Sequence, residues 1–240
     1  HGLTNCPYQF LSLGEKIHAQ GYNVLLPRYP YHGFPPLSDE QTKLQTEDLI
    51  GLANEAIDIA CGLGQEVIVC GLSMGGALAA WIAQNRPDVA RVIALSPALG
   101  ATSVAGGRYR AFANLFALLP NIYSWDEDAG KRPFPGRPHQ YPRMSSRAVA
   151  SLMRLGQIVF YQAQRHRPAA DSILVVKNLA DDVVDHDFTA QVVAAWRRHG
   201  GQVETYDLPG ELGLEHDYID PTQPDQQVDA VYPTLMELLA

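Results

Sequence analysis

Ser73 stands in Gly71-Leu72-Ser73-Met74-Gly75, a serine with glycine two residues away on either side. Small residues are common, so the pattern alone says little and its flanks say more. Val67-Ile68-Val69-Cys70 ahead of it reads as a short buried strand, and Met74 to Gln84 behind it, rich in Gly and Ala, as a helix. A tight strand-to-helix turn holds its central residue in a strained backbone conformation, and neighbours without side chains relieve the crowding. Gly76 and Ala77 extend the small surface, so the helix can pack close to the sheet. The helix N-terminus also lends partial positive charge to an oxyanion forming beside Ser73. The chemistry this suits is attack of a hydroxyl on a carbonyl carbon.

A serine hydroxyl needs a base to take its proton, and the base needs an orienting group. The acid should follow a late strand. Ile173-Leu174-Val175-Val176 is such a strand, and Asp181 and Asp182 follow it. Asp181 is preferred, because it leaves an Asp-x-Val-Val spacing in which Val183 and Val184 anchor the turn; Asp182 is the runner-up. The base should lie in the loop after the last strand, which is where His216 falls. His199 ends a helix, His186 begins one, His139 and His166 lie in or beside an irregular middle segment, His18 lies on an early helix and His32 in an early loop, so all fit worse. Two fixed N–H groups should meet the oxyanion. Met74, directly after the serine, supplies one, and Leu3 in His1-Gly2-Leu3-Thr4 the other, with His1 a structural residue of that loop. Asp185, His186 and Asp187 read as a solvated acidic loop leading into a helix in preference to a metal site.

The elements that must position these groups alternate in period. Helical patterns cover 8–20, much of 42–60 (with Ser38 to Gln41 as a capping box), 74–84, 188–199 and 225 to the C-terminus; strand patterns cover 22–26, 66–70, 90–95, 172–176 and 203–208. Strands and helices alternating at this pace indicate an α/β fold with a mostly parallel sheet. Residues 100–170 break the rhythm: helix patterns at 108–119 and 145–165 flank a stretch, 120–142, that holds five prolines.

Composition narrows the function class. The chain has 240 residues, 46% of them hydrophobic, enough for one substantial core. The net charge of −8 and the absence of a basic stripe argue against nucleic acid as a partner, and no apolar run approaches the roughly 20 residues that span a bilayer. Cys6, Cys61 and Cys70 show neither metal-ligand spacing nor a disulfide framework.

Taken together, His1-Gly2-Leu3, the segment from Gly21 to Gly33, Gly71 to Gly76, Asp181 and His216 resemble the α/β-hydrolase superfamily, in its carboxylesterase and monoacylglycerol-lipase-like group. The resemblance implies a doubly wound sheet and three parts: core at 1–99, a helical cap at 100–170, and core again at 171–240. It implies hydrolysis of small carboxylic esters through an acyl-enzyme, without a cofactor. It also implies strands ahead of the His-Gly loop, so upstream sequence is expected to fill a gap in the sheet. Asp185 departs from the pattern, standing where proline is common after the acid. Phe112, Phe116, Trp125, Leu152 and Val159 are candidates for an apolar acyl pocket under the cap. The rivals are a peptidase or amidase with the same triad, and a binding protein on a hydrolase fold. A dehalogenase or epoxide hydrolase is disfavoured, because those place Asp where Ser73 stands.

Overall fold

The computed structural model describes residues 1–100, 109–125 and 139–239. In chain order its strands are β1 (Ile68–Leu72), β2 (Arg91–Leu95), β3 (Tyr123–Trp125), β4 (Arg143–Ser145), β5 (Ser172–Asn178) and β6 (Val203–Leu208). The helices are α1 (Leu11–Ala19), α2 (Thr46–Leu63), α3 (Met74–Asn85), α4 (Tyr109–Leu118), α5 (Ser146–Ala163), α6 (His186–Arg198) and α7 (Val228–Leu239). Among the described residues the main sheet has the order β1-β2-β5-β6, all parallel, and β3 and β4 form a separate antiparallel pair.

Parallel strands need cover on both faces, and the strand residues alternate accordingly. Val92, Ala94, Ile173 and Val175 face a core shared with α2, α3, α5 and α6. Leu72, Ile93, Leu95, Leu174 and Val176 face a second core shared with α1 and α7. Every residue of α3 from Met74 to Gln84 is buried, which is why that helix is built so largely of Gly and Ala.

Three expectations need correction. Tyr22 to Leu26 form no ladder, and Tyr22, Val24 and Leu25 are exposed. Their pattern suits a buried strand, but among the described residues no strand pairs with them, and only His18 Nδ1 meets the Tyr22 carbonyl, at 2.9 Å. A cavity of about 460 Å³ separates this segment from β1, with Tyr22, Leu25 and Leu26 on one wall and Ile68, Val69 and Cys70 on the other. The reciprocal cap of α2 is made by Gln45 and Asp48, not by Ser38 and Gln41: the Gln45 N–H donates to Asp48 Oδ2 at 2.9 Å. A short 3₁₀ turn at Glu40–Lys43 intervenes. Finally, the irregular stretch contains β3.

The excursion between β2 and β5 has two unlike parts. Its second helix, α5, packs on α3 and buries Ala148, Leu152, Met153, Leu155 and Val159 in the main core. Its first part, α4 with β3 and β4, lies outside that layer and leaves Leu115, Leu118, Ile122 and Trp125 exposed. No helix among the described residues is long and apolar enough to cross a membrane.

Candidate active site

Ser73 is the residue between β1 and α3, and it takes φ 59° and ψ −113°. A residue with a Cβ reaches positive φ only when its surroundings force it. Here the Ser73 N–H donates to the Leu95 carbonyl at 3.0 Å, while the Ser73 carbonyl accepts from the N–H groups of Ala77 and Ala98, both at 2.9 Å. The turn is therefore held by β2 and α3 at once. Gly71 is required at its entry, since a methyl group there would collide with the Gly75 carbonyl.

His216 and Asp181 come together from different loops. Nδ1 of His216 lies 2.6 Å from Oδ2 of Asp181. Asp181 is buried and its Oδ1 accepts from the Val183 N–H at 2.9 Å. Burial alone would push the Asp181 pKa up; the hydrogen bond and charge of His216, with the Val183 N–H, outweigh it and hold the carboxyl below its usual value. The far nitrogen of His216, Nε2, is buried and meets no hydrogen-bond partner among the described residues. Asp182, the runner-up, is exposed. Asp185 caps α6, accepting from the Phe188 N–H at 2.8 Å.

One buried residue joins the acid and histidine loops. Asn178, the last residue of β5, donates from Nδ2 to the carbonyls of Leu214 at 2.8 Å and Glu215 at 3.2 Å. Its Oδ1 accepts from the Ala180 N–H, and its carbonyl from the Asp181 N–H. Asn178 has no motif around it; its one signal in the sequence is an amide two residues after the apolar run of β5.

The loop at His1 to Asn5 lies against the serine turn. The Gly75 N–H donates to the His1 carbonyl at 3.1 Å, and a Cβ placed on Gly2 would stand 3.9 Å from that of Ser73. Among the described residues no acceptor meets the N–H of Leu3 or of Met74. The Leu3 carbonyl, by contrast, is clamped: His32 Nε2 lies 2.7 Å from it and Gln41 Nε2 3.3 Å. His32 Nδ1 lies 3.0 Å from the Pro30 carbonyl. Burial lowers the His32 pKa, while its contacts with the Pro30 and Leu3 carbonyls pull the other way. His1 packs its ring on Tyr29, with centroids 4.2 Å apart, as a loop residue would.

The five pocket candidates scatter. Leu152 and Val159, on α5, are buried in the main core. Phe116 is half-buried against that core, and Trp125 is exposed. The side chain of Phe112 lies outside the described residues.

A family model described as the alpha/beta hydrolase family matches residues 1–231. A thermostable monoacylglycerol lipase from Bacillus sp. (strain H-257) is 31% identical over 107 residues, a match that spans 45% of this chain and 42% of that protein. Two solved structures share the fold across all of this chain. A monoacylglycerol lipase from Paleococcus ferrophilus superposes with a TM-score of 0.71 at 18% identity, with 91% of it covered. A soluble variant of the Saccharomyces cerevisiae monoglyceride lipase also gives 0.71, at 16% identity and 83% coverage.

Proposed function

Since the chain belongs to the alpha/beta hydrolase family, we propose that it hydrolyses carboxylic esters through an acyl-enzyme on Ser73. The observation that carries this reading is the His216–Asp181 pair, with Nε2 of His216 buried and free of any partner among the described residues. In the proposed cycle Ser73 Oγ attacks the ester carbonyl carbon as His216 Nε2 takes its proton. Asp181 holds Nδ1–H and so fixes the tautomer and stabilises the imidazolium. The N–H groups of Leu3 and Met74 receive the oxyanion. Collapse expels the alcohol, which leaves with the proton from His216. Water then repeats the sequence on the acyl-serine, and the carboxylic acid departs. No step calls for a cofactor.

The substrate class proposed is short to medium acyl esters, monoacylglycerols among them. Support comes from the Bacillus lipase, although its match spans less than half of either chain. A p-nitrophenyl ester series of increasing chain length tests the reaction, with fluorophosphonate labelling to test the nucleophile. The expected result is ester turnover, label on Ser73, and loss of both in Ser73→Ala, with kcat lower by at least about 1000-fold. Turnover of amides alone would favour a peptidase, and a folded chain that neither labels nor turns over esters would favour a binding protein.

A further inference from the structure

Asp217 follows His216 in the chain, yet the proposed cycle gives it no task, because Asp181 already meets the His216 ring. It is nonetheless half-buried, and its Oδ1 is shut off from solvent without a hydrogen-bond partner among the described residues. Burial pushes its pKa up to about 6, with the charge of Asp220 adding to the rise, while Gln9, His216 and the Ile219 N–H pull the other way. A buried charge is costly unless it is well solvated by the protein.

The partners of Asp217 come from two directions. Its Oδ2 accepts from Asn5 Nδ2 and from Gln223 Nε2, both at 3.0 Å. Gln223 also reaches Asp220 Oδ2 at 3.4 Å, and Asp220 Oδ1 accepts from the N–H and hydroxyl of Thr222. That half of the network belongs to the loop that carries His216. The other half belongs to the loop that carries Leu3. The Asn5 N–H donates to the Gly2 carbonyl at 3.2 Å, and Asn5 Oδ1 accepts from the Cys6 N–H at 2.9 Å. Gln9, which also faces Asp217, accepts the Gly2 N–H through Oε1 at 2.8 Å. Asn5 thus ties one end of the Gly2–Asn5 turn to the carboxylate directly, while Gln9 holds the Gly2 N–H at the other end.

We propose that Asp217 is a positioning residue that locks the Leu3 turn in register with His216, acting through Asn5. This rests on the reading of Ser73, His216 and Leu3 given above. An oxyanion donor works only if it is already in place when charge develops, and a shift of about 1 Å at such a donor costs on the order of 10- to 100-fold in rate. The proposed cycle gives Asp217 no contact with substrate, so its removal should lower kcat and leave KM nearly unchanged.

The test compares wild type, Asp217→Ala, Asp217→Asn, Asn5→Ala and the Asp217→Ala/Asn5→Ala double variant. Each is assayed on a p-nitrophenyl ester and on the matching thionoester, whose sulfur profits little from an oxyanion site. Asp217→Ala and Asn5→Ala are each expected to lose about 10- to 100-fold in kcat on the oxygen ester, with KM within about 3-fold and a smaller loss on the thionoester. The double variant should be no worse than the poorer single one, as for residues acting through one contact. Asp217→Asn keeps an acceptor for Asn5 and should recover most of the rate. If Asp217→Ala does not fold, Asn5→Ala and Asp217→Asn carry the test. The proposal is overturned by wild-type kcat in folded Asn5→Ala or Asp217→Ala, by equal losses on the two esters, or by losses that multiply in the double variant. Fluorophosphonate labelling separates the two levels: an unlabelled wild type sinks the catalytic reading, whereas a labelled, active wild type with unaffected variants sinks only the role of Asp217.

Discussion

The centre around Ser73 and the outer part of the excursion, residues 109–125 and 139–145, are built on opposite terms. At the centre each polar group is fixed by hydrogen bonds: Ser73 to β2, Asp181 to His216 and to the Val183 N–H, and the acid and histidine loops to the buried Asn178. The outer part instead presents Leu115, Leu118, Ile122 and Trp125 to the outside. Its β3–β4 pair is tied to Asp39 by Arg143, whose guanidinium lies 3.7 Å from the Tyr123 ring centroid and 2.9 Å from Asp39 Oδ1. Cation–π contacts and exposed ion pairs are each worth about 1 kcal/mol or less at such sites. Geometry that must be exact to a fraction of an ångström is thus kept in the core, and the apolar surface that could meet varied acyl chains is kept where change is cheap.

The largest test of this contrast is at the acid. Asp181→Asn should lower kcat by about 1000-fold or more, because His216 loses its tautomer control. Asp182→Asn, one residue away and exposed, should change kcat by less than about 2-fold; comparable losses in a titrated steady-state assay would break the assignment.

A second test asks whether α5 belongs with the centre. A methyl at Gly156 would collide with the Leu99 carbonyl, just beyond the serine turn. Gly156→Ala should therefore destabilise the fold by about 2–4 kcal/mol in urea unfolding. A variant as stable as wild type would place α5 with the loosely held outer part.

Asp217 and Asp181 give a pH signature of smaller size. Asp217, raised to about 6, keeps its proton in the native state across a window where the unfolded chain has lost it. Its contribution to stability therefore declines as pH rises from about 4 to 6, by up to about 3 kcal/mol. Asp181 acts in the opposite sense: its pKa is lowered, so its contribution is present above the ordinary carboxylate value and is lost as pH falls through its native value. Asp217→Asn should thus gain stability relative to wild type between pH 4 and pH 7, read by urea unfolding at both. The smallest effects belong to the outer part. Trp125→Ala and Leu118→Ser should move KM for long acyl esters by about 2- to 5-fold and leave kcat and Tm unchanged, and a large fall in Tm would show that this surface is structural.

Much of the centre was legible in the chain. Gly71 to Gly76 after an apolar run announces the turn, because only small residues fit a strand and helix meeting so closely. Asp181 and His216 stand out by their place after the last two strands. The strand patterns at 90–95 and 172–176 are strands in the fold, and their near-continuous apolar residues are covered on both faces. Residues 22–26 carry an equally good pattern and form no strand, since a pattern describes one chain segment and a ladder needs two. The capping partners of α2 were misplaced for a similar reason: Ser38 has the right chemistry, but a 3₁₀ turn moves the helix start to Gln45.

The sequence by itself determined the kinds of groups available, their order along the chain, and the turn that strains Ser73, because these follow from local sterics and period. Only the tertiary structure decided which groups meet. Asn178 reaching the Leu214 carbonyl, His32 holding the Leu3 carbonyl, and Asp217 joined to Asn5 across 212 positions are contacts between segments far apart in the chain. No local pattern encodes them, because they arise when burial brings polar groups together and each must find its partner inside.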